Sequence, residues 1–588
     1  MAKRVVVLGG GVGGMSAAHE LSERGFEVEV HEAKGVAGGK ARTIYVPDSG
    51  SGGRPELPGE HGFRFFPSFY RHLPDTMKRI PFAQKRHGVY DNLVQAREYL
   101  LAAGPQKDYR FLVRLPHSLS EWRELLAGIY QGRELGISDA ELAFFVGRVL
   151  ILLTSCKERR LAEYEQIDWW RFIEAEDKSD AYQLYLAVGL TRSLVALKAK
   201  VASTRTVGDI LIQLLLGIYS PFTEFDRVLD GPTSEVWIEP WHAHLRARGV
   251  IYEKESRVVA IAVAADQTIA GVTVERPDGT RREVRGDYYI LALPVEAVVP
   301  LIDAPLRAAE PRLGLLGELQ VAWMNGLQLF LRRDSHLVSG HANYVNTPSA
   351  LTSISQEQFF ARKLGDYGDG SVHGCLSVDI SDWETPGVVY GKPLVQLGSA
   401  EEVMHEAMAQ LRGALSPELA RALDDANIAR WFLDPDVTFP NPSTATNLEP
   451  LLINTRNSWQ NRPDAVTRIP NLFLAADYVR TYTDLATMEG ANEAARRAVN
   501  GVLAASGVRA APCQLWPLRE PSLFAPARLF DFARFKLGLP HIGLGRTATT
   551  ELRQRPAAVH HVRRTHPVRE AAAARPSTPA IPGVGRPA

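Results

Sequence analysis

Four glycines and one carboxylate near the start of the chain have the types and spacing to hold a dinucleotide. Val5-Val6-Val7-Leu8-Gly9-Gly10-Gly11-Val12-Gly13-Gly14 puts an apolar, β-branched run directly before a glycine loop, and residues 15–24 then carry apolar side chains at helical spacing. In such a strand, turn and helix, Gly9 permits the tight turn and Gly11 lets a ligand approach the backbone. Gly13 and Gly14 lie where the helix begins, Gly14 letting it pack closely on the strand, and free N–H groups there face phosphates. Residues 26–32 read as a second strand ending in Glu32, 18 residues after Gly14. A carboxylate there accepts both hydroxyls of an adenosine ribose and disfavours a 2′-phosphate.

The next stretch separates flavin from nicotinamide. Gly35-Val36-Ala37-Gly38-Gly39-Lys40-Ala41-Arg42-Thr43 resembles the second glycine motif of the FAD-dependent amine oxidase and phytoene desaturase superfamily. Many members have Arg at the position of Lys40, whereas plant-type phytoene and ζ-carotene desaturases have Lys. The residues agree with that resemblance: paired glycines let backbone lie against a cofactor, and a cation offsets pyrophosphate charge. FAD is the cofactor implied, with Ala33, Gly38, Gly39, Lys40 and Ala41 among its contacts.

Residues 60–70 align without gaps to the desaturase segment that runs back toward the isoalloxazine, matching at Glu60, Gly62, Phe66 and Tyr70. Arg64 is the departure, since those desaturases usually carry His there. A guanidinium beside a flavin stabilises the negative charge of the reduced ring and keeps its proton at working pH. The alternative is an Arg64 at the surface or in a structural pair with a carboxylate. Phe63, Phe65, Phe66 and Phe69 read as core.

A second anchor lies near residue 480. Leu472-Phe473-Leu474-Ala475-Ala476-Asp477 is an apolar strand ending in an acid, and a helix begins near Thr487. This resembles the C-terminal FAD motif of desaturases, which implies that Asp477 bonds the ribityl or pyrophosphate region and that Thr487 and Met488 aim a helix start at the flavin. The family usually has Gly where this chain has Ala476. The resemblance covers about residues 4–505, and includes hydroxysqualene dehydroxylase-like proteins.

Between these anchors, periodicity near 3.6 predicts helices over 121–130, 139–153, 169–174, 181–198 and 207–218, a lid inserted into a flavin fold. Trp169, Trp170, Tyr182, Tyr185 and Leu186 are candidate walls of a substrate channel, or plain core. Residues 144–156, interrupted by Arg148, read as a buried helix rather than a membrane span. Residues 231–249 read as a loop and then a helix, on which His242 and His244 point to different faces and suit no shared metal. Strands follow over 256–263, 269–274 and 288–294, and the resemblance makes Val258 an adenine-side backbone contact. Residues 324–332 and 374–380 read as strands, 399–415 as a helix and 351–358 as a loop. Lys363 and Lys392 read as solvated.

The fold class expected is therefore α/β: a Rossmann-type FAD domain assembled from discontinuous segments, with a mixed-sheet substrate domain and a helical lid. The FAD domain takes 1–90, 236–300 and 462–510, the lid and substrate domain 91–235 and 301–461. Residues 511–545 form an amphipathic segment with a basic side that can lie on a membrane surface, and 546–588 a disordered basic tail. Charge balances at 67 against 67, so nothing favours a nucleic-acid partner. Cys156, Cys375 and Cys513 are too few and too scattered for a disulfide framework or metal cluster. A strand starting at about Arg4 leaves no room for a signal peptide, which gives a cytoplasmic expectation, peripheral at the inner face of the membrane.

The function expected is FAD-dependent hydrogen removal from a long apolar isoprenoid such as a carotenoid precursor, with quinone or oxygen as electron acceptor. Alternatives are a flavin amine oxidase, a hydroxysqualene dehydroxylase-like enzyme, and a non-catalytic lipid-binding flavoprotein.

Overall fold

The computed structural model describes residues 2–104, 108–112, 136–191, 198–218, 226–345 and 347–544. The helix read over 121–130 and the tail from 546 lie outside them. At the centre is a five-stranded parallel sheet in the order Leu472–Leu474, Tyr288–Leu291, Arg4–Leu8, Glu27–His31, Ile251–Glu253. Val5 to Leu8 are completely buried. A strand buried on both faces has no solvent side to alternate with, which explains the unbroken apolar run. Helices Val12–Glu23 and Met488–Ser506 pack on each other and on this sheet.

Ser256 anchors an antiparallel sheet of Arg257–Val263, Ile269–Glu275 and Arg281–Val284 to the strand end at Glu32. Its third strand escapes a sequence reading because Arg281, Arg282 and Glu283 all face solvent on the sheet edge, leaving Val284 as the buried position. Helices Ala304–Ala309 and Pro311–Glu318 bury Leu306, Leu313 and Leu316 in the same core as the parallel sheet.

The second unit is built on a seven-stranded mixed sheet ordered Ile428–Leu433, Asn325–Leu331, Gly374–Ile380, Thr352–Ser355, Gly340–Tyr344, Glu98–Ala102, Asp108–Leu112. The stretch expected as a loop over 351–358 thus contains a central strand. Its serines are satisfied inside the sheet: Ser353 bonds the Tyr344 hydroxyl at 2.8 Å and Ser355 accepts from the Leu337 N–H at 3.2 Å. Paired polar groups of this kind can be buried without a large penalty, so the polar pattern misleads.

The lid comprises Asp139–Thr154, Lys157–Ala162, Trp169–Phe172, Asp180–Tyr182 and Thr204–Ile218. Ser138 and Glu141 form a reciprocal capping box at the first of these. The regular helix expected over 181–198 instead widens into a π-type turn at Gln183–Gly189. Helix Asp139–Thr154 is also not the buried element expected. It buries Phe145, Ile151 and Leu152, with Arg148 paired to Glu174, but leaves Leu142, Val146 and Leu150 exposed.

After Ser506 the chain returns to the lid, and helix Ala525–Lys536 packs on Asp139–Thr154 and Lys157–Ala162. The joint is Asp531, which accepts from the Cys156 N–H and from Arg159 Nε, both at 2.9 Å. Both side chains are almost wholly buried. Among the described residues, no helix is long and apolar enough to cross a membrane. Replacing Asp531 by Ala removes one of two carboxylates from the buried Arg159, whose Nη1 keeps Glu163 at 2.9 Å, and leaves Arg159 Nε and the Cys156 N–H without their acceptor, at a cost of about 1–3 kcal/mol. Hydrogen exchange should show residues 525–544 losing protection while Arg4–Leu8 keeps its own.

Candidate flavin site

The two glycine motifs meet as bare backbone. Gly11 forms a bridge with Gly38, and Gly38 N–H donates to the Gly10 carbonyl at 3.1 Å. A Cβ on Gly11 would find its nearest neighbour, Gly39 Cα, at 3.7 Å, so the surface there is open and carries no side chain. Gly13 and Gly14 are different. A Cβ on Gly13 would lie 2.0 Å from the Ala475 carbonyl oxygen, and one on Gly14 1.8 Å from that of Gly9. Those two glycines let the helix close on its neighbours, whereas Gly11 leaves a cradle. Gly9, with φ near +105°, makes the turn between strand and helix.

Glu32 is held at the strand end by the Gly10 and Lys34 N–H groups, at 2.8 and 2.9 Å. Ala33 is exposed beside it, and Ala41 is buried. Lys40 Nζ contacts Glu296 at 2.6 Å as well as the Pro450 carbonyl. Asp477 lies in the same charged group: burial pushes its carboxyl up from the ordinary value while Lys40 pulls it down. Ser256 donates its N–H to the Glu32 carbonyl at 2.8 Å, so Val258 follows two residues after a fixed point.

Thr487 caps helix Met488–Ser506, accepting the Gly490 N–H at 3.1 Å. In the first turn, Glu489 accepts the N–H groups of Arg71, His72 and Leu73 at 2.7–2.8 Å. The residues after the 60–70 segment are thereby tied to the C-terminal motif.

Arg64 is not at the surface. Its guanidinium donates to the carbonyls of Gly62 and, at 2.7 Å, Lys40, and stands 3.8 Å from Glu60. Arg64 Nε and Glu60 Oε2 are buried without a hydrogen-bond partner, as is Glu296 Oε2 beside Lys40. Behind Arg64 lies a residue that the sequence reading missed. Asp379 accepts the Phe63 N–H at 3.3 Å, and a Cβ on Gly62 would come within 2.8 Å of its Oδ1. Burial pushes the Asp379 carboxyl up to about 7, with Arg64 pulling the other way. Nearby, His341 pairs with Asp226 at 3.0 Å and is flanked by the rings of Phe63 and Phe65. The available signal was an acid inside a largely apolar strand, Leu376-Ser377-Val378-Asp379-Ile380.

Phe63, Val228, Leu229, Ile354, Phe359 and Phe360 line an apolar recess with Glu60 and Arg64 in its wall. From the lid, Ile210 and Leu214 pack with Leu485, and Phe65, Phe69, Tyr99 and Ile218 join them. Trp169, Trp170 and Tyr182 instead fill the lid's own core with Phe145 and Phe172. Among the described residues, His61, Asp434 and Asp436 have ligand atoms close enough to share a metal. They are spent in pairs: Asp434 with His61 at 2.6 Å and Asn325 at 2.7 Å, Asp436 with Arg42 at 2.7 Å.

Residues 12–503 match the model of the flavin-containing amine oxidoreductases. The chain belongs to that family. ζ-Carotene desaturase of Synechocystis sp. is 23% identical over 532 residues, covering 85% of this chain and 97% of the relative. An oxidoreductase from Methanosarcina mazei superposes with a TM-score of 0.53 at 14% identity, over 84% of this chain and 98% of its own. Putrescine oxidase bound to putrescine gives 0.53 at 12% identity, over 86% and 99%. Those two solved structures share the fold.

The protein is a flavin-dependent oxidoreductase, and its residues fit FAD. A strip without Cβ atoms at Gly11 and Gly39 suits a pyrophosphate, Glu32 a ribose, and the orphaned polar atoms of Arg64 and Glu296 await partners. When bound, the flavin supplies two-electron redox chemistry. The chain supplies a positive charge at Arg64, a carboxyl able to exchange a proton near neutrality at Asp379, and the apolar side chains of the recess.

Two outcomes test this geometry. Gly11→Ala should fold normally but bind flavin at least roughly tenfold more weakly, whereas Gly13→Ala should lose about 1–3 kcal/mol of stability through overpacking. Flavin absorbance per protein and denaturation midpoints separate them. For Asp379, the folded state keeps a proton that the unfolded chain releases above its ordinary value of 3.8. Stability should therefore fall as pH rises from 3.8 to about 7 and level off above. The full fall is on the order of 4 kcal/mol. Denaturant titrations across this range should show the fall in the wild type and its loss in Asp379→Asn.

Proposed function

We propose that this flavoenzyme removes hydrogen from a long apolar isoprenoid of the carotenoid-precursor class, introducing a carbon–carbon double bond. The observation that carries this reading is the apolar contact in which lid residues Ile210, Leu214 and Ile218 pack against Phe65, Phe69, Tyr99 and Leu485, a seam that a substrate would enter by parting these side chains. Leu485 immediately precedes the Ala486-Thr487-Met488 turn into the C-terminal flavin motif. An extended hydrocarbon gains by lying in such a seam, at about 25 cal/mol for each Å² of apolar surface removed from water. Similarity to ζ-carotene desaturase along nearly its whole length supports the same substrate class.

Desaturation removes a hydride equivalent from an allylic carbon and a proton from its neighbour, and a bound flavin would supply the two-electron acceptor. In this reading, Arg64 would hold a positive charge beside that acceptor and ionised Asp379 would receive the proton. The seam holds the reacting carbons in place, which lowers the barrier through pre-paid entropy. A quinone or oxygen then takes the electrons, and the substrate's insolubility favours work at a membrane surface.

The test is an anaerobic titration of the flavin band at about 450 nm with detergent-dispersed phytoene, squalene derivatives and, separately, a panel of amines. Bleaching by an isoprenoid and by none of the amines is expected. Bleaching by amines alone overturns the proposal in favour of C–N oxidation.

A further inference from the structure

Helix Thr204–Ile218 presents two different sides. Ile210 and Leu214, four residues apart, pack with Leu485 in the seam. Arg205, Asp209 and Ile212 follow helical spacing along another side. That second side lines a cavity of about 180 Å³, completed by Lys157 and Leu161 of the lid, by Trp459 and Tyr482, and by Pro517 and Leu518 of the returning chain. A dry cavity of about 150 Å³ admits a benzene ring, so this one has room for a ring and a polar group.

One charge in its wall is built in and only partly spent. The Arg205 side chain is more than nine-tenths buried. Its Nε donates to Glu165 at 3.0 Å and its Nη2 to Asp484, while the guanidinium lies 4.3 Å from the centre of the Trp459 ring. The third nitrogen, Nη1, has no acceptor among the described residues and is not sealed from solvent, so the fork keeps a donor for a ligand. Lys157, exposed at the start of its helix, also lacks an acceptor among the described residues. The two carboxylates of the wall are already taken, since Arg160 Nη1 stands 3.0 Å from Asp209 and 2.8 Å from Glu520. What the cavity lacks is an acceptor.

We propose that this cavity is a second ligand site, which binds a small aromatic carboxylate with its anionic end on Arg205 and Lys157 and its ring against Trp459, Ile212 and Leu518. A cationic ligand fits less well, because it has to draw Asp209 or Glu520 away from Arg160. A neutral hydrocarbon covers the Arg205 donor without supplying an acceptor, which costs the desolvation of a charged group. A bare inorganic anion leaves the apolar part of the wall in water. Arg205 also holds Asp484, the residue before Leu485. An occupant of the cavity and a substrate in the seam therefore grip the same helix and the same turn from different sides.

Isothermal titration calorimetry of the full-length, flavin-loaded protein with benzoate, acetate, benzamide and benzamidine tests it. Benzoate should bind at least roughly tenfold more tightly than each of the other three. Lys157→Glu reverses the charge of an exposed side chain, and Leu161→Trp fills the cavity from a residue that is 43% exposed. Each should weaken benzoate at least roughly tenfold, while flavin content and the melting temperature without ligand stay unchanged. Absence of benzoate binding overturns the proposal, as does benzamide, benzamidine or acetate matching benzoate. Benzoate binding that either variant leaves unchanged places the ligand elsewhere and overturns it too. Heat of binding is read without turnover, so each result leaves the isoprenoid reading to its own test.

Discussion

The structure depends on three distant segments reaching one sheet. Arg4–Leu8 cannot stand alone, because an apolar strand buried on both faces needs neighbours for its backbone and cover for its side chains. Glu27–His31 and Tyr288–Leu291 supply the pairing, Leu472–Leu474 extends the sheet beyond Tyr288–Leu291, and the helices at residues 12–23 and 488–506 supply much of the cover. Their contact is close enough that Gly13 admits no side chain against the Ala475 carbonyl. Polar groups inside this joint are satisfied: Asn492 donates to Ser16 at 2.7 Å and to Thr76 at 3.0 Å, while Arg496 pairs with Asp75 at 2.6 Å. Loss of one partner in such a buried network costs more than the bond itself, so the joint is specific as well as tight.

Much of this was legible in the sequence because it rests on local backbone demands. The glycine loop, the acid closing the second strand and the capped helix after Thr487 each announce themselves within a dozen residues. What escaped notice rests on partners far along the chain. The serines of Thr352–Ser355 look like loop residues until Tyr344 and Leu337 satisfy them, and Asp379 looks unremarkable until Gly62 and Phe63 are placed against it. The lid aromatics follow the second of the two readings their sequence allows: Trp169, Trp170 and Tyr182 pack together into a core of their own, while smaller residues on the next helix, Ile210 and Leu214, meet Leu485.

Arg64 shows how one departure from a family pattern is accommodated. A guanidinium offers five donors in a fixed fork, more than a histidine ring can present. Here the fork reaches the carbonyls of Gly62 and Lys40 and leaves Nε without a partner, so the same side chain joins two stretches of the flavin strip and keeps one polar atom in reserve. Asp379 stands opposite, in contact with the same turn. A positive charge and a buried acid thus occupy one locus beside an apolar recess.

The distance in sequence between the two halves of the cradle also governs when the cofactor can arrive. Gly14 and Asp477 are made far apart in time: at about 5–20 residues per second, the ribosome needs roughly 25 to 90 seconds to travel from one to the other. Until Leu472–Leu474 and the helix behind it emerge, Tyr288–Leu291 lacks its outer neighbour in the sheet and Gly13 has no Ala475 to close against. The nascent chain therefore presents an incomplete nucleotide site for most of its synthesis. The complete cradle is therefore open to flavin only once the C-terminal motif has been made.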